Sequence, residues 1–168
     1  MKHELPRRIL AFGVYAGLIQ VLSGIIMYYS GIYFESWSIL ISLAVLIVFI
    51  YTAINYYSSN SGVSRFWKLV LPGSIVGFLC GVIYSFYNLI SITFIYTDFI
   101  EEARTALLLK RSVGLTGAEI EALTNDLQSS LTTGSIAFSN LILLTLIGFA
   151  SSLLISIFFT RRRHGIIK

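Results

Sequence analysis

The fold is decided by residues 69–97, which read LVLPGSIVGFLCGVIYSFYNLISITFIYT and contain no charged side chain. A helix of about 20 residues crosses the roughly 30 Å hydrocarbon core of a bilayer, so this stretch is long enough to span it. Three further uncharged stretches occupy residues 9–34, 36–64 and 128–160. The pattern predicts an all-α polytopic membrane protein with four transmembrane helices, over about residues 9–29, 37–57, 69–96 and 136–160.

The composition agrees with membrane burial. Charged residues make up 12% of the 168 residues and hydrophobic residues 56%, whereas an ordinary soluble domain is about 25% charged. We expect a single membrane domain over residues 1–168, because no segment remains for a separate soluble domain. The net charge of +4 comes from basic residues beside the ends of the apolar stretches, where they contact lipid headgroups. The lipid bilayer is therefore the expected partner, and nucleic acid is not.

The basic residues also predict an orientation, because Lys and Arg are enriched on the cytoplasmic side of membrane proteins. With the N-terminus in the cytoplasm, nine of the twelve basic residues lie inside: Lys2, Arg7, Arg8, Arg65, Lys68, Arg161, Arg162, Arg163 and Lys168. Only Arg104, Lys110 and Arg111 lie outside. We therefore expect both termini to be cytoplasmic and residues 98–135 to lie on the opposite face.

Residues 98–135 form the one long polar stretch between apolar stretches, and they predict an external helical hairpin. Glu101 and Arg104 have the i,i+3 spacing of an ion pair on a helix. Thr116 and Glu119 have the spacing of a capping box, in which each side chain can bond the other's backbone N–H at a helix start. The order of the two signals indicates two short helices separated by a turn.

Turn and charge signals set the expected helix boundaries. We expect the first helix to begin after Pro6 and the third to hold Pro72 in its first turn, where the missing N–H costs little. Residues 58–64, SSNSGVS, indicate a loop. Gly134 is expected to end the second hairpin helix, and Arg161 to stop the last transmembrane helix.

Glycines at every fourth position mark two helix faces on which a neighbouring helix can approach closely. Gly13 and Gly17 lie in the first helix, and Gly73, Gly77 and Gly81 in the third. The five glycines are the candidate helix-packing residues. Two interpretations stay open: packing within the four-helix bundle, or an interface with a second copy or another membrane protein.

No catalytic, cofactor-binding or metal-binding residue can be assigned from the sequence. The predicted spans hold the amides Gln20, Asn55, Asn88 and Asn140 but no Asp, Glu, Lys, Arg or His. Proton-coupled and many ion-coupled carriers depend on such titratable groups inside the membrane. No spacing indicates a metal site or a nucleophile paired with a base. We therefore expect a protein that is not an enzyme and needs no cofactor.

Three segments together carry a family resemblance: SGVSRFWK at 61–68, DFIEEAR at 98–104 and GLTGAEIE at 114–121. With the four spans, they make the chain resemble the domain-of-unknown-function family 4199, small four-helix bacterial inner-membrane proteins found mainly in Bacteroidetes. The resemblance covers essentially the whole chain. It implies a bacterial inner (plasma) membrane location, and it carries no established activity or functional residues.

Two functional hypotheses follow. The first is a non-enzymatic membrane protein acting in helix–helix assembly, with itself or with another envelope protein. The second is a small transporter or channel subunit, which would need several copies to enclose a path because four helices without internal charge make a poor pore alone.

Overall fold

A computed structural model describes residues 4–33, 36–62 and 65–164, and in these ranges the chain is all α-helical with no strand. Six helices follow one another in the described chain: α1 (Glu4–Tyr29), α2 (Ser36–Ser61), α3 (Phe66–Phe94), α4 (Phe99–Arg111), α5 (Gly117–Ser130) and α6 (Thr133–His164). Four of them, α1, α2, α3 and α6, are long and apolar enough to cross a membrane. The predicted all-α polytopic fold, with a pair of short helices between the third and fourth spans, is confirmed.

The apolar spans form helices because a helix satisfies every backbone N–H and C=O within its own segment, as hydrocarbon requires. Many serine and threonine hydroxyls in the spans donate to the carbonyl four residues earlier, for example Ser74 to Val70 at 3.0 Å and Thr145 to Leu141 at 2.7 Å. These polar side chains are thus satisfied locally, without interrupting a helix.

Glycine in the left-handed conformation ends the first two helices. Gly31 has φ +72°, its N–H donates to the carbonyl of Tyr28 at 3.0 Å, and the N–H of Ile32 donates to Met27 at 3.1 Å. This pair of bonds is a Schellman motif, which caps the carbonyls that the end of α1 leaves open. Gly62, with φ +64°, follows the last residue of α2.

Several predicted boundaries were wrong. α1 begins at Glu4, so Pro6 lies inside its first turn, where a missing N–H has no acceptor to lose. α2 continues through residue 61 of the predicted loop; residues 63 and 64 lie outside the described residues. α3 begins at Phe66, which puts Pro72 in its second turn rather than its first. Pro72 therefore cannot donate a hydrogen bond to the carbonyl of Lys68.

The last span also departs from its predicted limits. Gly134 lies in the first turn of α6 and does not end α5, which stops at Ser130. α6 continues beyond Arg161 to His164. Charged side chains set how deep a helix sits in a membrane, but they do not break its backbone hydrogen bonds, so an arginine run is a weak stop signal.

The chain divides into two compact units, each described by itself. The first contains residues 1–84 and 141–168, and the second contains residues 85–140. The core of the first unit consists of side chains that are at most 1% exposed: Ala16, Leu46, Ile50, Ala53, Ile54, Leu69, Val76 and Cys80. In the second unit the buried side chains include Ile92, Phe99, Ala103, Leu127 and Ala137.

Candidate functional site

The glycines of α1 face side chains of α3. A Cβ atom built on Gly13 would lie 2.8 Å from Cβ of Leu79, and one built on Gly17 would lie 2.8 Å from Cβ of Ile83. Real side chains do not approach so closely, so only glycine permits these contacts. From the first contact to the second, the residue number rises by four on both α1 and α3. The two helices therefore run parallel along this face.

The glycines of α3 face α6, and here the contact reaches the backbone itself. A Cβ on Gly77 would lie 2.6 Å from Cα of Gly148, and one on Gly81 would lie 3.1 Å from the carbonyl oxygen of Leu141. Gly73 packs on the Ser152 hydroxyl and on Ile50 of α2. The partners fall in number as the α3 residues rise, so α3 and α6 run antiparallel. All five predicted packing glycines therefore have neighbours within this chain.

The structure adds small residues on α6 that sequence reasoning missed. Gly148 and Ser152 lie directly against Gly77 and Gly73, and Ser152 and Ser156 are both fully buried. The Ser152 hydroxyl donates to the carbonyl of Gly148 at 2.6 Å, which keeps the side chain close to its own helix. Small residues at 148, 152 and 156 have the spacing of four that marks close helix contacts, so this signal was present in the sequence.

A tyrosine pair joins the end of α1 to α3 in the same unit. A Cβ on Gly24 would lie 3.2 Å from the Tyr84 hydroxyl, and the hydroxyls of Tyr84 and Tyr33 are 3.1 Å apart. Burial raises the pKa of the Tyr33 phenol, and the hydrogen bond to Tyr84 opposes that shift in part. The phenol therefore stays neutral and holds the turn after α1 against α3.

The four amides differ sharply in burial. Gln20 is 1% exposed and Asn88 4% exposed, whereas Asn55 is exposed and Asn140 half-buried. Neither Oε1 of Gln20 nor Nδ2 of Asn88 has a hydrogen-bond partner among the described residues. Gln20 belongs to the first unit and Asn88 to the second. Gln20 thus offers a buried acceptor within the glycine-lined face of α1.

Two surface cavities lie on opposite faces of the first turns of α1. The α1–α3 groove, of about 210 Å³, is lined by Leu5, Pro6, Ile9, Leu10, Tyr57, Leu71, Pro72 and Ile75. The basic pocket, of about 360 Å³, is lined by Glu4, Arg7, Arg8, Ala11, Phe12 and Tyr15. Beside the basic pocket, the Arg8 guanidinium lies 5.9 Å from the centre of the Tyr56 ring, within the range of a cation–π contact.

Arg104 connects the two helices of the second unit. Its Nη1 bonds Oε1 of Glu101, as the spacing predicted. Its Nη2 donates to the carbonyls of Gln128 at 3.3 Å and Leu131 at 3.4 Å, at the C-terminal end of α5. A cation is favourable at that end of a helix because the open carbonyls are partly negative. α4 and α5 therefore form an antiparallel hairpin closed by residues 112–116.

The capping box predicted for α5 is confirmed. Oε2 of Glu119 accepts from the backbone N–H and from the hydroxyl of Thr116, both at 2.7 Å. These two hydrogen bonds, the backbone one first, lower the pKa of the Glu119 carboxyl. The carboxylate form therefore stabilises the first turn of α5 above the ordinary carboxyl pKa, and this contribution is lost as pH falls through the lowered value.

The turn end of the hairpin exposes apolar side chains. Val113 is 83% exposed and Leu109 71% exposed, and Leu115 and Ile120 are exposed as well. We call these four residues the hairpin tip. The tip lies outside the four helices that are long and apolar enough to span a membrane.

Within the described residues, no group of three His, Cys, Asp or Glu side chains is placed to hold a metal ion. Comparison with curated proteins finds no match, and comparison with solved structures finds none either. A family model described as "Protein of unknown function (DUF4199)" matches residues 11–161, nearly the whole chain. The four membrane-spanning helices and this match agree with the resemblance carried by the sequence motifs, and the chain belongs to that family of membrane proteins.

Proposed function

We propose that the protein is a non-enzymatic, multi-pass protein of the bacterial inner membrane that assembles with another envelope membrane protein through its hairpin tip. The observation that carries this proposal is the exposed apolar tip. Single exposed apolar residues are common on protein surfaces. Four of them lie within residues 109–120, outside the apolar spans, and a group of exposed apolar side chains supports an interaction site there.

The geometry of the hairpin supports a presenting role. Arg104 bonds the last carbonyls of α5, and Glu119 closes its first turn, so both ends of α5 are held. A rigid support reduces the entropy that binding has to overcome. The tip is therefore a preorganised surface rather than a loose loop.

The glycine contacts support assembly through a surface other than the glycine faces. The five candidate glycines are occupied by α2, α3 and α6 of the same chain. Association of copies through those faces would need the bundle to open. A homo-oligomer in this proposal therefore uses the tip or the lipid-facing side chains.

The orientation belongs to the same proposal. Nine basic residues flank the N-terminal ends of α1 and α3 and the C-terminal end of α6, against three in the hairpin. The positive-inside bias then favours cytoplasmic termini and a periplasmic hairpin. A non-enzymatic role is supported by the lack of Asp, Glu, Lys, Arg and His within the apolar centres of the spans.

Site-specific photo-crosslinking tests the assembly role. A photoreactive amino acid at position 113 should crosslink in intact cells to one defined membrane protein, and the same label at position 129 should not. Ser129 is the matched control because it is exposed on the same hairpin but away from the tip. A crosslink to a second copy of this chain would identify the partner as itself. Equal labelling from both positions, or none from position 113, would contradict the proposal.

The alternative is an oligomeric small transporter or channel subunit, and the buried oxygen of Gln20 is the observation that favours it. An acceptor without a partner inside a span can bind a solute or a water on a polar path. Flux of ions and small solutes in proteoliposomes, lost in Gln20→Leu and kept in Asn55→Leu, would establish this alternative. Asn55 is the matched amide because it is exposed on α2.

A further inference from the structure

The α1–α3 groove lies at the N-terminal ends of two parallel helices, next to the basic residues at the start of α3. Its floor is buried, with Ile9 at 5% exposure and Pro72 below 2%. Its rims are open, with Leu10 at 47% and Leu71 at 60% exposure. The described side chains that line the groove are all apolar except for the hydroxyl group of Tyr57.

The size of the groove selects the kind of occupant. It follows about one helical turn on each side, from Leu5 to Leu10 and from Leu71 to Ile75, or roughly 6–8 Å at 1.5 Å per residue. A helix with its side chains is about 10 Å across and does not fit a slot of about 210 Å³. A segment of a linear hydrocarbon chain does fit.

Positive charge lies beyond the end of the groove that is nearer to the N-terminus of α3. Lys68 precedes Leu71 and Pro72 by three and four residues, so it lies on the same face of α3, one turn nearer the helix N-terminus. Arg65 immediately precedes α3. Both side chains are exposed, and helical side chains lean towards the N-terminus. Lys68 forms no ion pair with any residue that the structure describes.

The acidic group nearest to this end on α1 does not neutralise the charge. Glu4 lines the basic pocket, on the opposite face of α1 from the groove. The groove thus combines an apolar slot with a cation that has no acidic partner among the described residues and lies one helical turn beyond Leu71 and Pro72. Basic pockets between transmembrane helices bind anionic lipid headgroups in this way.

We propose that the α1–α3 groove binds one anionic phospholipid, with an acyl chain in the slot and its phosphate on Lys68. The site is independent of the hairpin tip and of the assembly role. The buried ring of Pro72 forms the floor of the slot.

Native mass spectrometry of the full chain, released from micelles, tests the proposal with two probes, phosphatidylglycerol and phosphatidylethanolamine of equal chain length. The wild type should bind one phosphatidylglycerol about fivefold more tightly, the ratio expected for one surface cation. Lys68→Gln should abolish this preference and leave phosphatidylethanolamine binding unchanged. Arg111→Gln, which removes an exposed charge on α4, should bind as the wild type does.

A second variant tests the slot separately from the charge. Leu71→Trp narrows the groove from its exposed rim and should reduce binding of both lipids, whereas Leu22→Trp on an exposed face of α1 should not. Equal wild-type affinity for the two lipids would overturn the proposal, as would full phosphatidylglycerol binding by Lys68→Gln or Leu71→Trp. Lipid-free dimers that Leu71→Trp dissociates would assign the groove to a second copy instead.

Discussion

At the scale of single residues, the close contacts of this bundle depend on which atom a new side chain would meet. Gly13 and Gly17 face Leu79 and Ile83, and an added Cβ would lie 2.8 Å from the Cβ atom of each partner. Gly77 faces the backbone of Gly148, which cannot move without separating the two helices. Among the described glycines of the first unit, Gly77 and Gly148 are thus the pair at which an added Cβ would meet another backbone most closely.

We expect Gly77→Ala to destabilise the bundle by about 1–3 kcal/mol, the usual cost of overpacking. The reason is the 2.6 Å distance from the new Cβ to Cα of Gly148. Gly134→Ala is the matched control, because that helical glycine has nothing within 4 Å of an added Cβ. Reversible unfolding by denaturing detergent in mixed micelles measures both free energies. Equal stability of the two variants would contradict this account of the contact.

At the scale of elements, α3 and the hairpin have different roles. Half of the residues in the most apolar segment of α3 are buried, compared with 22% for α6, because α3 packs on α1, α2 and α6. The hairpin lacks such burial. Its two helices are short, bury Phe99, Ala103 and Leu127, and also make polar contacts at their ends, among them those of Arg104.

We expect Arg104→Gln to loosen the C-terminal turn of α5 and to leave α4 largely intact. The substitution removes the cation from the carbonyls of Gln128 and Leu131, and hydrogen bonds of this kind contribute about 1 kcal/mol. The surface pair with Glu101 adds little. Hydrogen exchange of the peptide covering residues 125–132 should quicken several-fold. Arg111→Gln is the control, and equal exchange in the two variants would contradict the capping role.

At the scale of the whole molecule, the exposed surface of the long helices is that of a protein covered by lipid. Leu18, Leu40, Phe86 and Leu146 are each more than half exposed, an arrangement that water would not tolerate over four helices but hydrocarbon favours. The charged residues then lie beside the ends of the spans, and their unequal number on the two sides predicts the orientation.

We expect a membrane-impermeant maleimide to label Val113→Cys in intact spheroplasts and to label Asn60→Cys only after permeabilisation. Position 113 lies at the hairpin tip and position 60 near the end of α2, both exposed. The unsubstituted chain is the control, because its Cys80 is fully buried. Labelling of Asn60→Cys alone in intact spheroplasts would invert the proposed topology.

Local signals explain how much of this protein could be predicted. The spans, the Glu101–Arg104 pair and the capping box at Thr116 depend on residues close together in the chain, and each is confirmed. The errors at Pro6, Pro72 and Gly134 have one cause. Proline near a helix start and glycine in a helix are tolerated at more than one position, so their presence does not determine the first or last helical residue.

The sequence by itself determined that the chain is a four-span helical membrane protein, since uncharged stretches of this length must satisfy their backbone in lipid as helices. Only the tertiary structure decided which surfaces meet. It paired Gly77 with Gly148 and brought Arg104 to the carbonyls at the end of α5. It also formed the α1–α3 groove beside Lys68. Such contacts join residues far apart in the chain, and their choice depends on helix rotation and shape, which no local pattern encodes.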